Sequence, residues 1–93
     1  MMYRVEIQSG ALEVAKRLPT AVRAAISDRI DALAENPRPP GTAPLPAGYV
    51  GTYRVRVAGQ CMMGYEVDDW SETVTVWVIG RREEMRGRGR DSG

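Results

Sequence analysis

Residues 53–67 read Tyr53-Arg54-Val55-Arg56-Val57-Ala58-Gly59-Gln60-Cys61-Met62-Met63-Gly64-Tyr65-Glu66-Val67. Tyr53, Val55 and Val57 alternate with Arg54 and Arg56. Side chains two apart on a strand share a face, so this is a strand with one apolar and one basic side. Met63, Tyr65 and Val67 alternate in the same way with Met62, Gly64 and Glu66. The connection Ala58-Gly59-Gln60 is short enough for a hairpin. With a three-residue loop, Val57 faces Cys61, Arg56 faces Met62, Val55 faces Met63 and Tyr53 faces Tyr65. Every large apolar side chain except Met62 then lies on one side, and Arg54, Arg56, Met62 and Glu66 lie on the other. A two-residue turn slips the pairing by one residue and mixes the two sets, so the pattern favours the longer loop.

Downstream, Val74, Val76 and Val78 alternate with Thr75 and Trp77, a third strand reached through the turn from Asp68 to Glu72. Upstream, residues 37 to 48 hold five of the six prolines and two glycines, a loop rather than a linker because too little chain follows for a second core. Before it, Val22, Ile26, Ile30 and Leu33 step by four, four and three, one stripe of a helix. Asn36-Pro37 ends that helix, since a residue before proline avoids helical backbone. A shorter helix, capped by Ser9, carries Leu12, Ala15 and Leu18, and Pro19-Thr20 separates the two. Tyr3, Val5 and Ile7 alternate with Arg4 and Glu6, a half-buried first strand. The expected fold class is α+β: an N-terminal strand, two helices forming a hairpin, then a three-stranded antiparallel meander, with the helices packed on one sheet face. Residues 1–86 form the domain, and residues 87–93 a flexible tail rich in Gly and Arg.

The totals narrow the function classes. Ninety-three residues suit one domain with a thin core. No apolar run approaches a membrane span. The first residues carry no charged segment followed by an apolar stretch and cleavage site, so a cytoplasmic protein is expected. With no histidine and one cysteine, Cys61, the chain has no His-based triad and too few of the usual zinc ligands. No metal or cofactor is expected. The net charge of +1 conceals an uneven distribution. Twelve of the thirteen basic residues are arginine, and Arg81, Arg82, Arg86, Arg88 and Arg90 fall in the last thirteen positions. A near-neutral protein can therefore carry a positive patch suited to phosphate.

Arg54 and Arg56 point the same way about 7 Å apart. Paired guanidiniums repel unless something negative lies between them, and arginine's planar fork matches phosphate. Arg81 and Arg82 close the same site if the last strand neighbours the hairpin. One reading is an anion site shaped for an RNA backbone; the other pairs Arg54 with Glu66 and leaves Arg56 solvated. Trp77, on the outer strand face, suits either stacking on a base or covering a partner's helix. Trp70 and Asp68-Asp69 read as hairpin-turn residues, and Met62, Met63 and Cys61 as packing.

Taken together, several phrases resemble the RelE/ParE toxins of type II toxin–antitoxin modules. They are Tyr3-Arg4-Val5-Glu6-Ile7, Ala11-Leu12 with Leu18-Pro19, and Ala32-Leu33-Ala34-Glu35-Asn36-Pro37-Arg38-Pro39-Pro40-Gly41. Tyr53-Arg54-Val55-Arg56-Val57, Tyr65-Glu66-Val67-Asp68-Asp69, and Val74-Thr75-Val76 running into Gly80-Arg81-Arg82-Glu83 complete the set. The resemblance implies, for the RelE branch, cleavage of messenger RNA in the ribosomal A site. The 2′-hydroxyl attacks the neighbouring phosphate and leaves a cyclic phosphate. It assigns charge stabilisation to Arg54, Arg56 and Arg82; Arg81 and Arg86 are read beside it as further nucleic-acid contacts. The implied partners are the ribosome and mRNA, and a cognate antitoxin in a hetero-oligomer.

The sequence departs from the family pattern at three places. Met62 stands where a further arginine is usual. Arg86 or Arg88 falls where many members carry an aromatic acid or base. Ala43-Pro44-Leu45-Pro46 replaces a loop with a basic residue. Arginine is a poor general base near neutrality, which leaves Glu66 as the evident titratable candidate. A slow or inactive ribonuclease is therefore expected. A ParE-like inhibitor of DNA gyrase, which needs none of these groups, and a catalytically degenerate toxin acting as a binding or regulatory module are the alternatives.

Overall fold

The computed structural model describes residues 2–44, 52–59 and 61–81. Its elements run β1 (Arg4–Ile7), α1 (Ser9–Lys16), α2 (Thr20–Glu35), β2 (Ala43–Pro44), β3 (Thr52–Ala58), β4 (Cys61–Asp68) and β5 (Thr73–Arg81). The five strands form one sheet in the order β1-β5-β4-β3-β2. The antiparallel β3-β4-β5 meander is present, but it is the centre of a larger mixed sheet. β1 adds to its edge parallel to β5, with Val5 opposite Val74 and Ile7 opposite Val76. The alternation in Tyr3–Ile7 marks a strand but carries no information about which edge it joins. At the far edge Ala43 and Pro44 pair with Arg54 and Tyr53. A proline belongs on such an edge, because it has no N–H to give to a ladder.

Both helices cover one sheet face. The two are consecutive, but α1 packs chiefly on β5 and α2 on β3 and β1, each more than on the other. α1 begins at Ser9 itself; Gln8 occupies the cap position and no side chain caps the helix. α2 ends as expected, with Asn36 extended at φ −146°, ψ 101° ahead of Pro37. The Asn36 side chain then accepts from the Arg38 backbone N–H at 3.1 Å. Ile26 and Leu33 of the α2 stripe are buried against Val55, Met63, Tyr65, Val74, Val76 and Ile79. Truncating a fully buried leucine such as Leu33 to alanine costs about 2–5 kcal/mol.

Two irregularities decide which side chains reach which face. In the β3–β4 hairpin Tyr53 faces Tyr65, Val55 faces Met63 and Arg56 faces Met62, as the alternation requires. Val57 does not face Cys61; Ala58 does, leaving only two residues in the turn. Val57 is the extra residue of a bulge, which absorbs the one-residue slip that a two-residue turn would otherwise impose. Gly59, at φ +54°, supplies the left-handed backbone of that turn. In β5 the pairing shifts between Gly64 and Tyr65, so Tyr65 faces Val76 while Gly64 faces Val78. Trp77 is the extra residue. It breaks the Val74-Val76-Val78 alternation: Ile79, opposite Met63, enters the helix-side core, and Val78 turns to the other face.

Candidate nucleic-acid interface

Val55 and Tyr53 point towards the helices, so Arg54 and Arg56 project from the helix-free face. Arg54 sits between Ala43 of β2 and Gly64 of β4, half-buried, and Arg56 lies opposite Met62, exposed. Glu66 lies opposite Thr52 on the same face, one row beyond Arg54. Successive rows on one face are about 6–7 Å apart. Among the described residues neither arginine forms an ion pair, and Glu66 does not pair with Arg54. Two guanidiniums thus stand together on the helix-free face, and among the described residues no carboxylate pairs with either of them.

Arg81 is placed elsewhere. It pairs with Cys61, whose side chain packs against the core, while Gly80 takes the position opposite Met62 on the arginine side. The β5 bulge causes this, because one extra residue exchanges the faces of everything after it. Arg81 lines an apolar groove of about 430 Å³ with Val14, Leu18, Val22, Ala58, Gly59, Cys61 and Gly80. Arg82, Arg86 and the tail at 87–93 lie outside the described residues. Of the expected contacts, the structure brings together Arg54, Arg56 and Glu66 and sets Arg81 on the opposite side of the sheet.

A second polar cluster escaped the reading of the sequence. The Arg38 guanidinium donates to both Asp69 carboxylate oxygens, at 3.3 and 3.0 Å, and to the Tyr53 hydroxyl at 3.0 Å. It also lies 5.3 Å from the centre of the Tyr53 ring. Tyr3 donates to Asp69 at 2.6 Å. Buried Tyr65 donates to the Pro37 carbonyl at 2.8 Å and meets the Thr42 hydroxyl at 3.3 Å. The Arg38 and Tyr3 hydrogen bonds hold the Asp69 carboxyl below its usual range, and the Asp69 bond raises the Tyr3 phenol. Burial raises the Tyr65 phenol. These contacts tie the loop after α2 to Tyr3 just before β1, to β3 and β4, and to the β4–β5 turn, so the cluster is a clamp at one end of the sheet. Asp68, not Asp69, supplies the turn chemistry by accepting from the Trp70 N–H at 3.0 Å. Nothing in local spacing signals the clamp, because its partners are 15 to 66 residues apart.

The chain matches no protein-family model and no curated protein. Solved structures do match it. A chain of the RelBE2 toxin–antitoxin complex from Mycobacterium tuberculosis is 25% identical, with 88% of this chain and 100% of that one covered and a TM-score of 0.75. A RelE toxin mutant of Escherichia coli in the free state is 23% identical, with coverage of 92% and 90% and a TM-score of 0.77. The chain has the RelE/ParE toxin fold. The likeness extends to the YoeB/ParE toxin from Agrobacterium tumefaciens, at 15% identity, 85% and 98% coverage and a TM-score of 0.73. At these identities it is the RelE/ParE architecture that is shared, and the chemistry has to be argued from the side chains on it. No helix among the described residues is long and apolar enough to cross a membrane.

Proposed function

We propose that this protein is the toxin of a type II toxin–antitoxin pair and acts on messenger RNA at the ribosome, cleaving it slowly. The observation that carries this reading is the Arg54–Arg56 pair on the helix-free face, with no ion-pair partner among the described residues. Guanidiniums so placed suit the non-bridging oxygens of a phosphodiester. In the reaction the ribose 2′-oxygen attacks phosphorus and the 5′-oxygen of the next nucleotide leaves, giving a 2′,3′-cyclic phosphate. The 2′-hydroxyl gives up a proton and the leaving oxygen gains one. Arg54 and Arg56, joined in this proposal by Arg82, stabilise the negative charge that builds on the crowded phosphate. Arg86 would add a contact to the RNA backbone.

Slowness follows from the proton transfers. Arginine stays protonated near neutral pH and so serves poorly as a general base, and Glu66 stands a row beyond Arg54. Met62 fills the place opposite Arg56 that a third guanidinium would take. Each missing stabiliser of this kind is worth about a hundred- to thousandfold in rate. The partner is an antitoxin, as in the RelE–RelB complex from Pyrococcus horikoshii, and the apolar groove beside Arg81 offers the surface an antitoxin helix needs. Such a toxin works in the cytoplasm.

Toeprinting of ribosome-bound mRNA with purified protein tests the proposal. The expected result is weak, position-specific stops that disappear in Arg54→Ala/Arg56→Ala. Cleavage as fast as by a fully equipped RelE toxin contradicts the slow mechanism, and absence of any ribosome or RNA binding removes the proposal itself.

A further inference from the structure

The helix-free face holds a second feature beside the arginine pair. Gln8, Thr52, Glu66 and Trp77 line a shallow depression of about 320 Å³. Strand register explains why they meet. Glu66 lies between Thr52 of β3 and Thr75 of β5. Gln8 follows β1 and donates its backbone N–H to the Val76 carbonyl at 2.9 Å, beside Trp77. The β5 bulge puts the indole here by inserting Trp77 between the rows of Tyr65 and Gly64. Trp77 is half-buried, which holds the ring in place as a wall while leaving part of it open.

The chemistry of the lining is selective. Trp77 offers a flat aromatic surface, and Glu66 a carboxylate that only accepts hydrogen bonds. Among the described residues that carboxylate has no hydrogen-bond or ion-pair partner. A flat wall with an acceptor pair at its edge suits a planar heterocycle that presents two adjacent donors. Of the four RNA bases only guanine does so, through N1–H and the 2-amino group. Adenine and cytosine place a ring acceptor beside their amino group, and uracil flanks its one N–H with two carbonyls; each sets an acceptor against the carboxylate. The depression lies one row, about 6–7 Å, from Arg54, so a nucleotide whose phosphate rests on the arginines can lay its base there.

We propose that this depression reads a guanine base of single-stranded RNA, with Trp77 stacking on the ring and Glu66 accepting from N1–H and the 2-amino group. The inference rests on the RNA-binding reading above and adds to it a determinant of sequence preference. It also gives Glu66 a task that suits an ionised carboxylate better than proton transfer does.

The test uses the full chain carrying Trp70→Phe. Trp70 is 97% exposed, and its replacement leaves Trp77 as the single tryptophan. Labelled pentaribonucleotides with guanosine, inosine, adenosine, cytidine or uridine at the centre of a uridine context are titrated by anisotropy, with Trp77 emission followed in parallel. The guanosine oligonucleotide is expected to bind at least about tenfold tighter than the inosine one, which lacks the 2-amino group, and to quench Trp77. Glu66→Gln should bring that ratio to within about twofold. If all five bind alike and binding still weakens in Arg54→Ala/Arg56→Ala, the base pocket is wrong and the RNA-binding reading stands. A guanine preference that survives in Glu66→Gln also overturns the pocket. If none of the oligonucleotides binds, or loss of the arginines has no effect, the RNA-binding reading fails and takes the pocket with it.

Discussion

Glu72 and Asp69 show how single residues in the β4–β5 turn carry the stability of this end of the sheet. Glu72 has φ +52°, the left-handed region, the one non-glycine to do so among the described residues. Its carbonyl accepts from the Arg4 N–H at 2.9 Å, so the turn is held open to receive the first residue of β1. A side chain in this region costs roughly 1–2 kcal/mol, whereas glycine avoids that cost and loses about 0.5–1 kcal/mol in chain entropy. Glu72→Gly is therefore expected to stabilise the fold by roughly 0.5–1 kcal/mol. The check is a higher denaturant midpoint at an unchanged slope; a lower midpoint would show that the Glu72 side chain does more than the backbone argument allows. Asp69 sets a pH dependence. Its folded carboxyl titrates below the ordinary value of 3.8, so on acidification the unfolded chain takes up the proton first. The contribution is complete above 3.8 and is lost as pH falls from there through the lowered folded value. For Tyr3, whose phenol is held above 10.0, the sign reverses: the native state keeps a proton the unfolded chain gives up, and stability falls as pH rises beyond 10.0. Thermal melts across pH should find Asp69→Asn less stable than wild type near neutrality, with the two curves converging in acid. A constant gap through the acid range would mean that the carboxylate charge is not what the clamp uses.

At the scale of elements, alternation in the sequence identified β3, β4, most of β5 and the helical stripe, because each of these buries one face and solvates the other. It also gave the pairing of Tyr53 with Tyr65 and Val55 with Met63, and so the common face of Arg54 and Arg56. It failed where one residue was inserted. A bulge leaves the composition of a strand unchanged, so neither Val57 nor Trp77 announces itself. Yet the bulge at Trp77 turns Ile79 inward, Val78 outward and Arg81 to the groove. β1's parallel partner and the two-residue β2 were hidden for another reason: edge pairing is set by where the chain returns in space. The clamp built on Arg38 and Asp69 is likewise a product of tertiary folding. One variant exploits the register that was legible. Met62 faces Arg56 on one side and Gly80 on the other, half-buried on the open face. Met62→Arg should place a third guanidinium in that row without touching the helix-side core. Its single-stranded RNA affinity should rise, and the slope of log affinity against log salt should steepen by about 0.7, the value for one added phosphate contact. An unchanged slope would mean that the row does not face the RNA backbone.

At the scale of the molecule, the two sheet faces divide the work. The helices and the clamp close one face around Leu33, Met63, Tyr65, Val74 and Val76, which holds most of the buried apolar side chains; Val78 is buried on the other. That division lets the open face carry Arg54, Arg56 and a half-buried tryptophan, groups that a core would not tolerate together. A net charge of +1 is compatible with polyanion binding because Arg54 and Arg56 share the open face, while Glu13, Asp28, Asp31 and Glu35 lie on the helices behind the sheet among Lys16, Arg23 and Arg29. The separation makes a demand on the cell-level phenotype. Arg56 is exposed and Arg54 half-buried on the helix-free side, so replacing both by alanine leaves every residue of the core cluster in place. Arg54→Ala/Arg56→Ala should therefore accumulate and melt much as wild type does. Induction of the wild-type chain without an antitoxin should slow amino-acid incorporation while DNA supercoiling stays normal, and the double variant should restore incorporation. Equal toxicity of a folded double variant would show that the arginine pair is not the working surface, and a change in supercoiling ahead of the translational effect would move the target from the ribosome to gyrase.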